Sequence, residues 1–434
     1  SDAMAGALGT AGKAVFLSAL AVILSLAALF LVPVMVFRSM ALGMILSVVA
    51  VSLASFTLLP AVLASMGDRV LVSRSKEDPD RAAEGRWARW TSKALWKPGR
   101  TLALGLLLLL GLAAPALGMD LGMPDARVVD PGVQSRDGYD AAVTAFGDGG
   151  VAPLFITAPA ADAQAIVDVV ATDPNIAQVG IVTEPAPSGR LAIRAFPKTG
   201  PSDNATDATV KRLRSAIDAV SPTALVGGPG SQNGDLTSAL IESFPLAVAL
   251  IMLVAFILLL VVFRSLVIAL ASIVMNLISV AASFGFATIV FQHGIGASLI
   301  GIDEQGFINA WAPLFFFALL FGLSMDYQLF LLASIKEHHD ATGDAQLAVR
   351  EGIARTGRPI TNAALIMIVV FIAFGVTGPL PPTELGITLA VAVLLDATLI
   401  RMMLVPSLFG LLDKKTWYLP KWLDRVLPKV EFRH

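Results

Sequence analysis

Asp326 and Tyr327 are adjacent residues whose side chains could carry a proton inside an apolar environment. They lie in the segment GLSMDYQLF, residues 322–330, well before the next cationic residue, Lys336. Burial in lipid favours the neutral form of a carboxyl group, so Asp326 could take up and release protons within the membrane. The Tyr327 hydroxyl could bind a carboxylate on a neighbouring helix or extend a chain of water molecules. The pair therefore favours a proton relay, although a polar clamp between two helices would use the same residues.

Asp396 and Arg401 are the other two charged residues that fall inside predicted membrane segments. A charge at the middle of a membrane helix costs about 2.5 to 3.5 kcal/mol on insertion scales, so each residue needs a function or a partner. Five residues correspond to a rotation of roughly 140° around an α-helix, which predicts that the two side chains do not face each other. We expect them to act as buried polar support with separate partners. Either Arg401 offsets a carboxylate of the sixth predicted span, or both residues satisfy backbone and side-chain groups at the centre of the bundle.

The composition places most of the chain in lipid. Its 434 residues are 56% apolar and 15% charged, and the mean hydropathy is +0.76. The 31 Lys and Arg residues nearly balance the 33 Asp and Glu residues, and the net charge of −2 offers no basic field for nucleic acid. The absence of cysteine and the presence of only four histidines make disulfides and metal sites poor hypotheses. No nucleophile, base and orienting group form a recognisable motif, so we predict that the protein is not an enzyme.

Eight apolar stretches are long enough for a bilayer core, which takes about 20 residues per helix. They are residues 14–37, 39–67, 101–119, 243–263, 265–292, 306–335, 359–382 and 385–412. In the short connections, the Lys and Arg residues lie on one side of the membrane, and the opposite side has only Arg38. This asymmetry predicts that both chain ends are cytoplasmic. The same basic connections contain five tryptophans that suit the headgroup layer: Trp87, Trp90, Trp96, Trp417 and Trp422.

Residues 120–242 form the only water-soluble region, with charge, proline and glycine throughout. Hydrophobic periodicity predicts helices near 138–146, 161–171 and 205–220, and strands near 152–157, 176–182, 191–196 and 223–226. This order indicates a small α+β domain outside the cytoplasm. The last helix is predicted to run from about Asp235 into the fourth span, because only Pro245 interrupts it.

Residues 12–69 resemble residues 357–414, which predicts an internal repeat, although two hydrophobic hairpins could also resemble each other by coincidence. A parallel duplication would then leave the first copy incomplete, which predicts a piece of a longer protein. We divide the chain into the last two helices of the first repeat, a cytoplasmic linker, one membrane helix, the α+β domain, a five-helix bundle and a cytoplasmic tail. The corresponding bounds are residues 1–70, 71–97, 98–119, 120–238, 239–412 and 413–434.

Several motifs resemble the C-terminal half of the mycobacterial membrane protein large (MMPL) family, within the resistance-nodulation-division (RND) superfamily. They are GLSMDYQLFLLASIKEHHD, RTGRPITNAALIM and LLDATLIRMMLVPSLFGLLDKKTWYLPKWLDRVLP, and the resemblance covers nearly the entire chain. It implies an RND-type fold of twelve helices with two porter-like outer domains, of which this chain would hold eight helices and one domain. It also implies that Asp326-Tyr327 is the second of two proton-relay pairs. The first pair is absent from this chain and would belong to a missing N-terminal half.

The resemblance further implies export of lipids or other hydrophobic molecules across a bacterial inner membrane, driven by proton influx, and we expect the cargo to be an envelope lipid. Protons would then be the coupling ion, and no cofactor or metal is expected. Residues implied to line or gate the channel are Phe330, Ser18, Ser25 and Asn362. The alternative is a membrane scaffold or lipid-sensing receptor that does not transport. Expected partners are membrane lipids and the missing half, and the chain could also form a homo-oligomer.

Overall fold

The computed structural model describes residues 2–66, 86–129, 131–182, 189–302, 304–376 and 380–428. The helices are α1 (Asp2–Ala27), α2 (Met35–Phe56), α3 (Leu58–Met66), α4 (Arg86–Trp96), α5 (Pro98–Ala113), α6 (Gln134–Phe146), α7 (Ala163–Ala171), α8 (Asn204–Val220), α9 (Pro229–Phe263), α10 (Leu266–Ala287), α11 (Ala312–Thr342), α12 (Ala345–Val376), α13 (Leu380–Leu395), α14 (Val405–Leu412) and α15 (Lys421–Val426). The strands are β1 (Leu121–Gly122), β2 (Leu154–Pro159), β3 (Ile176–Val182), β4 (Arg190–Pro197), β5 (Leu225–Gly227) and β6 (Ile308–Asn309).

Seven helical stretches in the described part of the chain are long and apolar enough to cross a membrane. They are Met35–Met66, Pro98–Gly118, Pro229–Phe263, Leu266–Gln292, Ala312–Thr342, Ala345–Val376 and Leu380–Trp417. The first of the eight predicted stretches corresponds to a shorter apolar helix, Val15–Leu31, formed by α1 and a following 3₁₀ turn. The prediction of an α-helical polytopic membrane protein with an α+β domain is confirmed, with seven stretches of full length.

We call the described residues between α5 and α9 the outer domain. It is built on a four-stranded antiparallel sheet in the order β3-β4-β2-β5. Alternate residues of β2, namely Leu154, Ile156 and Ala158, are fully buried against the apolar faces of α7 and α8. The helices and strands predicted from periodicity in this region are all present, with bounds that differ by a few residues.

Helix α9 joins the outer domain to the membrane bundle without a break. It has 35 residues, which correspond to about 50 Å, whereas the hydrocarbon core measures about 30 Å. Pro245 lies inside the helix, and Asp235 in its first turns accepts a hydrogen bond of 2.7 Å from Arg214 of α8. The continuous helix predicted from about Asp235 is therefore confirmed, and it begins earlier, at Pro229.

A two-stranded parallel ladder also connects the outer domain to the bundle. β1 follows α5 and β6 precedes α11, with Gly122 opposite Asn309. The side-chain amide of Gln292, beyond α10, donates to the carbonyl oxygen of Gly118 and accepts from the backbone N–H of Asp120, both at 3.0 Å. The entry to the outer domain and the start of α11 are thus held together.

The two helix pairs of the predicted repeat both depart from α-helical geometry before a proline. α2 ends at Phe56, Thr57 has φ −116° and ψ −61°, and Pro60 lies at the start of α3. In the second pair, α13 continues into a π-helix over Asp396–Leu404, and Pro406 lies at the start of α14. The repeat itself stays a prediction, and this shared interruption agrees with it.

Helix α4 is the described part of the predicted linker, residues 71–97. Residues 67–85 and the side chain of Trp87 lie outside the described residues, as does the end of the predicted tail, residues 429–434. α4 packs against α12, α14 and the π-helix. It therefore lies at the end of the bundle opposite the outer domain.

Candidate functional site

Three membrane elements bring polar side chains together inside the bundle. α10 contributes Asn276, α11 contributes Ser324 and Tyr327, and the π-helix contributes Asp396 and Arg401. We call these five residues the polar cluster. Arg401 and Asn276 are each 2% exposed and Asp396 is 8% exposed, so water has little direct access to the charges.

Asp396 and Arg401 form an ion pair, which contradicts the prediction that they face different directions. Nη2 of Arg401 lies 2.7 Å from Oδ2 of Asp396. The prediction assumed α-helical geometry, but a π-helix bonds residue i to residue i+5 and brings positions five apart onto one face. The expectation of separate partners for the two residues is therefore wrong.

Arg401 also binds α11 directly. Its Nη2 donates to the carbonyl oxygen of Ser324 and, at 3.1 Å, to the Ser324 hydroxyl. The centre of its guanidinium lies 4.8 Å from the centroid of the Tyr327 ring, within the range of a cation–π contact. These contacts agree with the alternative in which Arg401 satisfies backbone and side-chain groups at the bundle centre. The other alternative, a carboxylate of the sixth predicted span, concerns Asp326, whose side chain lies outside the described residues.

A small cavity adjoins the polar cluster. Its volume is about 20 Å³, enough for about one water molecule, and it is lined by Asn276, Ser324, Tyr327 and Asp396 among others. The Ser324 hydroxyl donates to Oδ1 of Asn276 at 2.9 Å. Among the described residues, Nδ2 of Asn276 and Oδ1 of Asp396 have no hydrogen-bond partner. One bridging water could therefore satisfy both atoms.

Asp326 lies on α11 between Ser324 and Tyr327, and its side chain is outside the described residues. One turn earlier, a Cβ atom added to Gly322 would meet Val22 of α1 at 3.5 Å, so the two helices approach closely there. The role of Asp326 as a proton carrier stays a prediction.

Tyr327 contacts two other elements of the bundle. Its hydroxyl donates to Sδ of Met367 on α12 at 2.7 Å, and its ring lies under the Arg401 guanidinium. Sequence reasoning placed Tyr327 at the site but missed Asn276 and Ser324. A lone Asn in an otherwise apolar span was the available signal for Asn276, since buried amides in membrane helices form interhelical contacts.

The four residues implied to line or gate a channel do not line the cavity. Phe330 is 42% exposed, Asn362 is exposed, Ser18 is half-buried, and Ser25 is buried on α1. The structure does not bring these residues into the polar cluster, and their roles stay predictions.

Glu384 is a buried acidic residue inside the membrane-length stretch Leu380–Trp417, whereas the sequence analysis left it between two predicted spans. It was placed in the connection between residues 382 and 385, but α13 begins at Leu380 and Glu384 is 0% exposed. Its Oε2 accepts a hydrogen bond from Nδ2 of Asn309 in β6. The predicted spans were counted as stretches largely free of charge, so Glu384 fell between two of them. The prolines at positions 381 and 382 suit the first turn of a helix.

Asp125 of the outer domain has specific hydrogen-bond partners. Its carboxylate accepts from the side chain and the backbone N–H of Arg127 and from the Tyr139 hydroxyl at 3.3 Å. Burial raises the pKa of Asp125, but these hydrogen bonds outweigh it and hold the pKa below its usual value. Burial, with the nearby Asp125 charge, raises the pKa of Tyr139 to about 12.

Within the described residues, no group of three or more His, Cys, Asp or Glu side chains could hold a metal ion.

Comparisons with known proteins identify similar membrane proteins. The chain matches the MMPL family model over residues 1–101 and 127–429. It is 36% identical to the mycolic acid-containing lipids exporter MmpL11 of Mycolicibacterium smegmatis, over 99% of this chain and 47% of that protein. Identity to the membrane protein YdfJ of Bacillus subtilis is 34%, over 99% of this chain and 60% of that protein. Identity to the trehalose monomycolate exporter MmpL3 of M. smegmatis is 26%, over 97% of this chain and 46% of that protein. The chain thus spans about half the length of the curated relatives it matches.

Proposed function

The chain belongs to the MMPL family, as its motifs indicated, and from this premise we propose that it forms part of a proton-driven exporter of lipids or other hydrophobic molecules. Two relatives carry names that describe lipid exporters, which supports a lipid cargo. Because the chain spans about half of these relatives, a further portion would supply the second Asp-Tyr pair and the second porter domain. The proposed location is the bacterial inner membrane, with both chain ends cytoplasmic.

The observation that carries the proposal is the Asp396–Arg401 ion pair, buried in the membrane bundle beside Tyr327. Each charge costs about 2.5 to 3.5 kcal/mol at the centre of a membrane helix. A static scaffold gains little from such a pair, because well-packed apolar residues in place of a buried ion pair are often neutral or stabilising. A transporter gains a group whose partners change when a nearby carboxyl group binds a proton.

In this mechanism, Asp326 binds the transported proton and Arg401 responds to its charge. Arg401 donates to the carbonyl oxygen of Ser324, two positions before Asp326. An ionised Asp326 attracts the guanidinium, and a protonated Asp326 leaves it paired with Asp396. A water molecule in the adjoining cavity would give the proton a route past Asn276 and Asp396.

The structure offers a physical connection from this site to the outer domain. Phe321 lines the cavity and stacks on Phe317 at a centroid distance of 5.4 Å. Phe317 makes an edge-to-face contact of 6.3 Å with Phe244 of α9. Because α9 continues into the outer domain, a displacement of α11 on proton binding would tilt that domain and open a passage for the lipid.

The Asp326→Asn variant tests the proposal in the assembled transporter, reconstituted in proteoliposomes with an imposed pH gradient. We expect normal membrane insertion, no proton influx and no lipid export. The matched control is Asp340→Asn, which neutralises a carboxylate on the same helix whose side chain is 60% exposed, and it should export normally. Normal export by correctly inserted Asp326→Asn protein would overturn the proposal and favour a scaffold or lipid-sensing receptor.

A further inference from the structure

Glu384 lies at the end of the bundle that carries the outer domain, in a fully buried polar group. Its Oε2 accepts from Nδ2 of Asn309, and Thr388 lies one turn further along α13. All three residues are 0% exposed. Among the described residues, Oε1 of Glu384, Oδ1 of Asn309 and Oγ1 of Thr388 have no hydrogen-bond partner. A buried polar atom without a hydrogen-bond partner is uncommon in a native protein and needs a physical explanation.

A proton on Oε1 explains the unpartnered oxygens of Glu384 and Asn309. The acid O–H would donate to Oδ1 of Asn309 while Nδ2 of Asn309 donates to Oε2, which gives an acid–amide pair with both acceptors satisfied. An ionised Glu384 instead presents a second acceptor to the amide oxygen and repels it. The Glu384–Asn309 contact can therefore hold a protonated carboxyl group, and the complete burial of Glu384 disfavours its ionised form.

No described cation faces Glu384 to stabilise its ionised form. α13 packs against α10, α11 and α12. α10 contains no ionisable residue, and neither do residues 312–325 of α11 or residues 361–376 of α12. The first ionisable residues along α11 are Asp326 and Tyr327. The titratable residues described at this end, beside β1 and β6, are exposed: Asp120, His293 and Glu304. Glu384 is thus a buried carboxyl group close to a surface that exchanges protons with water.

The positions that follow Glu384 on α13 lead toward the polar cluster. Thr388, Ala392 and Asp396 recur at every fourth residue, and the last two line the cavity. Twelve residues of helix separate Glu384 from Asp396, a distance of about 18 Å. The Thr388 hydroxyl supplies the next polar group along this route.

We propose that Glu384 is a proton-exchanging residue at the outer-domain end of the bundle, which binds a proton in its contact with Asn309 and passes it inward toward Thr388 and the polar cluster. This inference rests on the proposed function. On loading, a proton from outer-side water forms an O–H bond on Oε1. On release, that bond breaks, the proton passes to a water molecule on the inner side, and a carboxylate remains until the next proton arrives.

Release of the proton also affects the connection to the outer domain. Asn309 lies opposite Gly122 in the β1–β6 ladder, and the backbone N–H of Ala310 donates to the carbonyl oxygen of Gly122 at 2.8 Å. An ionised Glu384 that repels Oδ1 of Asn309 would push this ladder away from α13. The proton state of Glu384 is therefore coupled to the entry strand of the outer domain.

The Glu384→Gln variant separates proton exchange from a structural role. Glutamine has the same shape, stays neutral and retains both hydrogen bonds to Asn309, so folding and membrane level should match the wild type. We expect proton influx into proteoliposomes of the assembled transporter to fall at least tenfold, with part of it restored in Glu384→Asp. Infrared difference spectra should lose one band of a protonated carboxyl group in Glu384→Gln.

Two outcomes overturn the inference. One is wild-type proton influx in Glu384→Gln, which would leave Glu384 with a structural role only. The other is an unchanged carboxyl band in the infrared spectrum of that variant. Asp326→Asn, measured in parallel, identifies which idea has failed: an inactive Asp326→Asn beside a fully active Glu384→Gln rejects this inference alone, whereas an active Asp326→Asn rejects the proposed function.

Discussion

The indole Nε1 of Trp90 donates a hydrogen bond of 2.9 Å to the carbonyl oxygen of Met402 in the π-helix. Met402 lies four residues before Pro406, which has no backbone N–H to donate to that oxygen. A side chain of α4 thus binds a backbone carbonyl of the π-helix close to this proline. Trp90 was predicted to be an interfacial anchor; half of its surface is exposed, and its indole nitrogen holds the π-helix.

Trp90→Phe should loosen the π-helix while it keeps an aromatic ring at this position. The lost hydrogen bond corresponds to about 1 kcal/mol, or roughly a fivefold change in a local opening equilibrium. We therefore expect backbone amides of residues 400–404 to exchange with deuterium about fivefold faster in the variant. Hydrogen–deuterium exchange with mass spectrometry measures this rate.

Trp96→Phe is the matched control for that experiment. Trp96 lies on the same helix, is 78% exposed, and its ring contacts Lys97. Exchange in residues 400–404 should not change in this variant. Equal acceleration in both variants would show that a general loss of α4 packing, and not the Trp90 hydrogen bond, controls the π-helix.

Neutralising one member of the buried ion pair should destabilise the protein more than replacing both members. Arg401→Gln leaves Asp396 ionised and buried without its cation, at a cost of about 3 to 5 kcal/mol. The double variant Asp396→Leu/Arg401→Met removes both charges and should retain more folded protein. Size-exclusion profiles after heating measure folded protein, and we expect neither variant to export lipid.

Export by the double variant would contradict a role for the ion pair in transport. Equal folded yields of Arg401→Gln and the double variant would show that Asp396 finds another partner, or becomes neutral, when Arg401 is removed. The wild-type chain at the same temperature provides the reference for both comparisons.

Much of the fold follows from local sequence patterns. Alternation of apolar residues predicted β2, and the absence of glycine after Asp235 predicted a helix that enters the membrane. The Val15–Leu31 stretch is shorter than predicted, because the 3₁₀ turn after α1 ends at Leu31, before Pro33. Apolar periodicity identifies a helix but does not locate such a turn.

The candidate site was predicted only in part, because its contacts depend on backbone geometry that residue spacing does not encode. Asp396 and Arg401 were excluded as partners by α-helical spacing, and the π-helix reverses that conclusion. Glu384 was left between two predicted spans because those spans were counted as stretches largely free of charge. Asn276 and Ser324 join the site through contacts between helices that are distant in sequence.

Tyr327→Phe should reduce export less than Asp326→Asn does. The phenyl ring can keep the contact with the Arg401 guanidinium, whereas the hydroxyl and its bond to Met367 are lost. We expect wild-type folding with partial loss of proton influx. Tyr418→Phe, at a tyrosine that is 57% exposed, is the control and should be fully active. A larger defect in Tyr327→Phe than in Asp326→Asn would reverse the roles assigned to the two residues.

Stability around Asp125 should depend on pH. The folded state lowers the pKa of this carboxyl, so its stabilising effect is fully present above the unfolded pKa and is lost as pH falls through the folded pKa, below about 4. Because asparagine carries no charge, the Asp125→Asn variant should lack this stabilisation already at pH 7. Amide protection of residues 125–140, corrected for intrinsic exchange rates, tests this. Equal amide protection of wild type and variant at pH 7 would mean that the contacts of Asp125 with Arg127 and Tyr139 contribute nothing to local stability.

The contact between Phe244 and Phe317 should transmit proton binding to the outer domain. Phe317→Leu removes the edge-to-face contact with α9, which corresponds to about 0.5 to 1.5 kcal/mol, so export should fall about two- to tenfold. Protonation of Asp326, measured by infrared titration, should not change. Phe315→Leu is the matched control, because Phe315 is similarly buried on α11 but pairs with Trp311 of the same segment.

A double-mutant cycle makes the coupling test specific. If the two rings act through their contact, the export defect of Phe244→Leu/Phe317→Leu should be smaller than the product of the two single defects, because the second substitution finds the contact already broken. If the two rings contribute independently, the export defect of the double variant should instead equal the product of the two single defects. Multiplying defects, or normal export in Phe317→Leu, would show that proton binding reaches the outer domain by another route, for which the β1–β6 ladder is the alternative connection in the described structure.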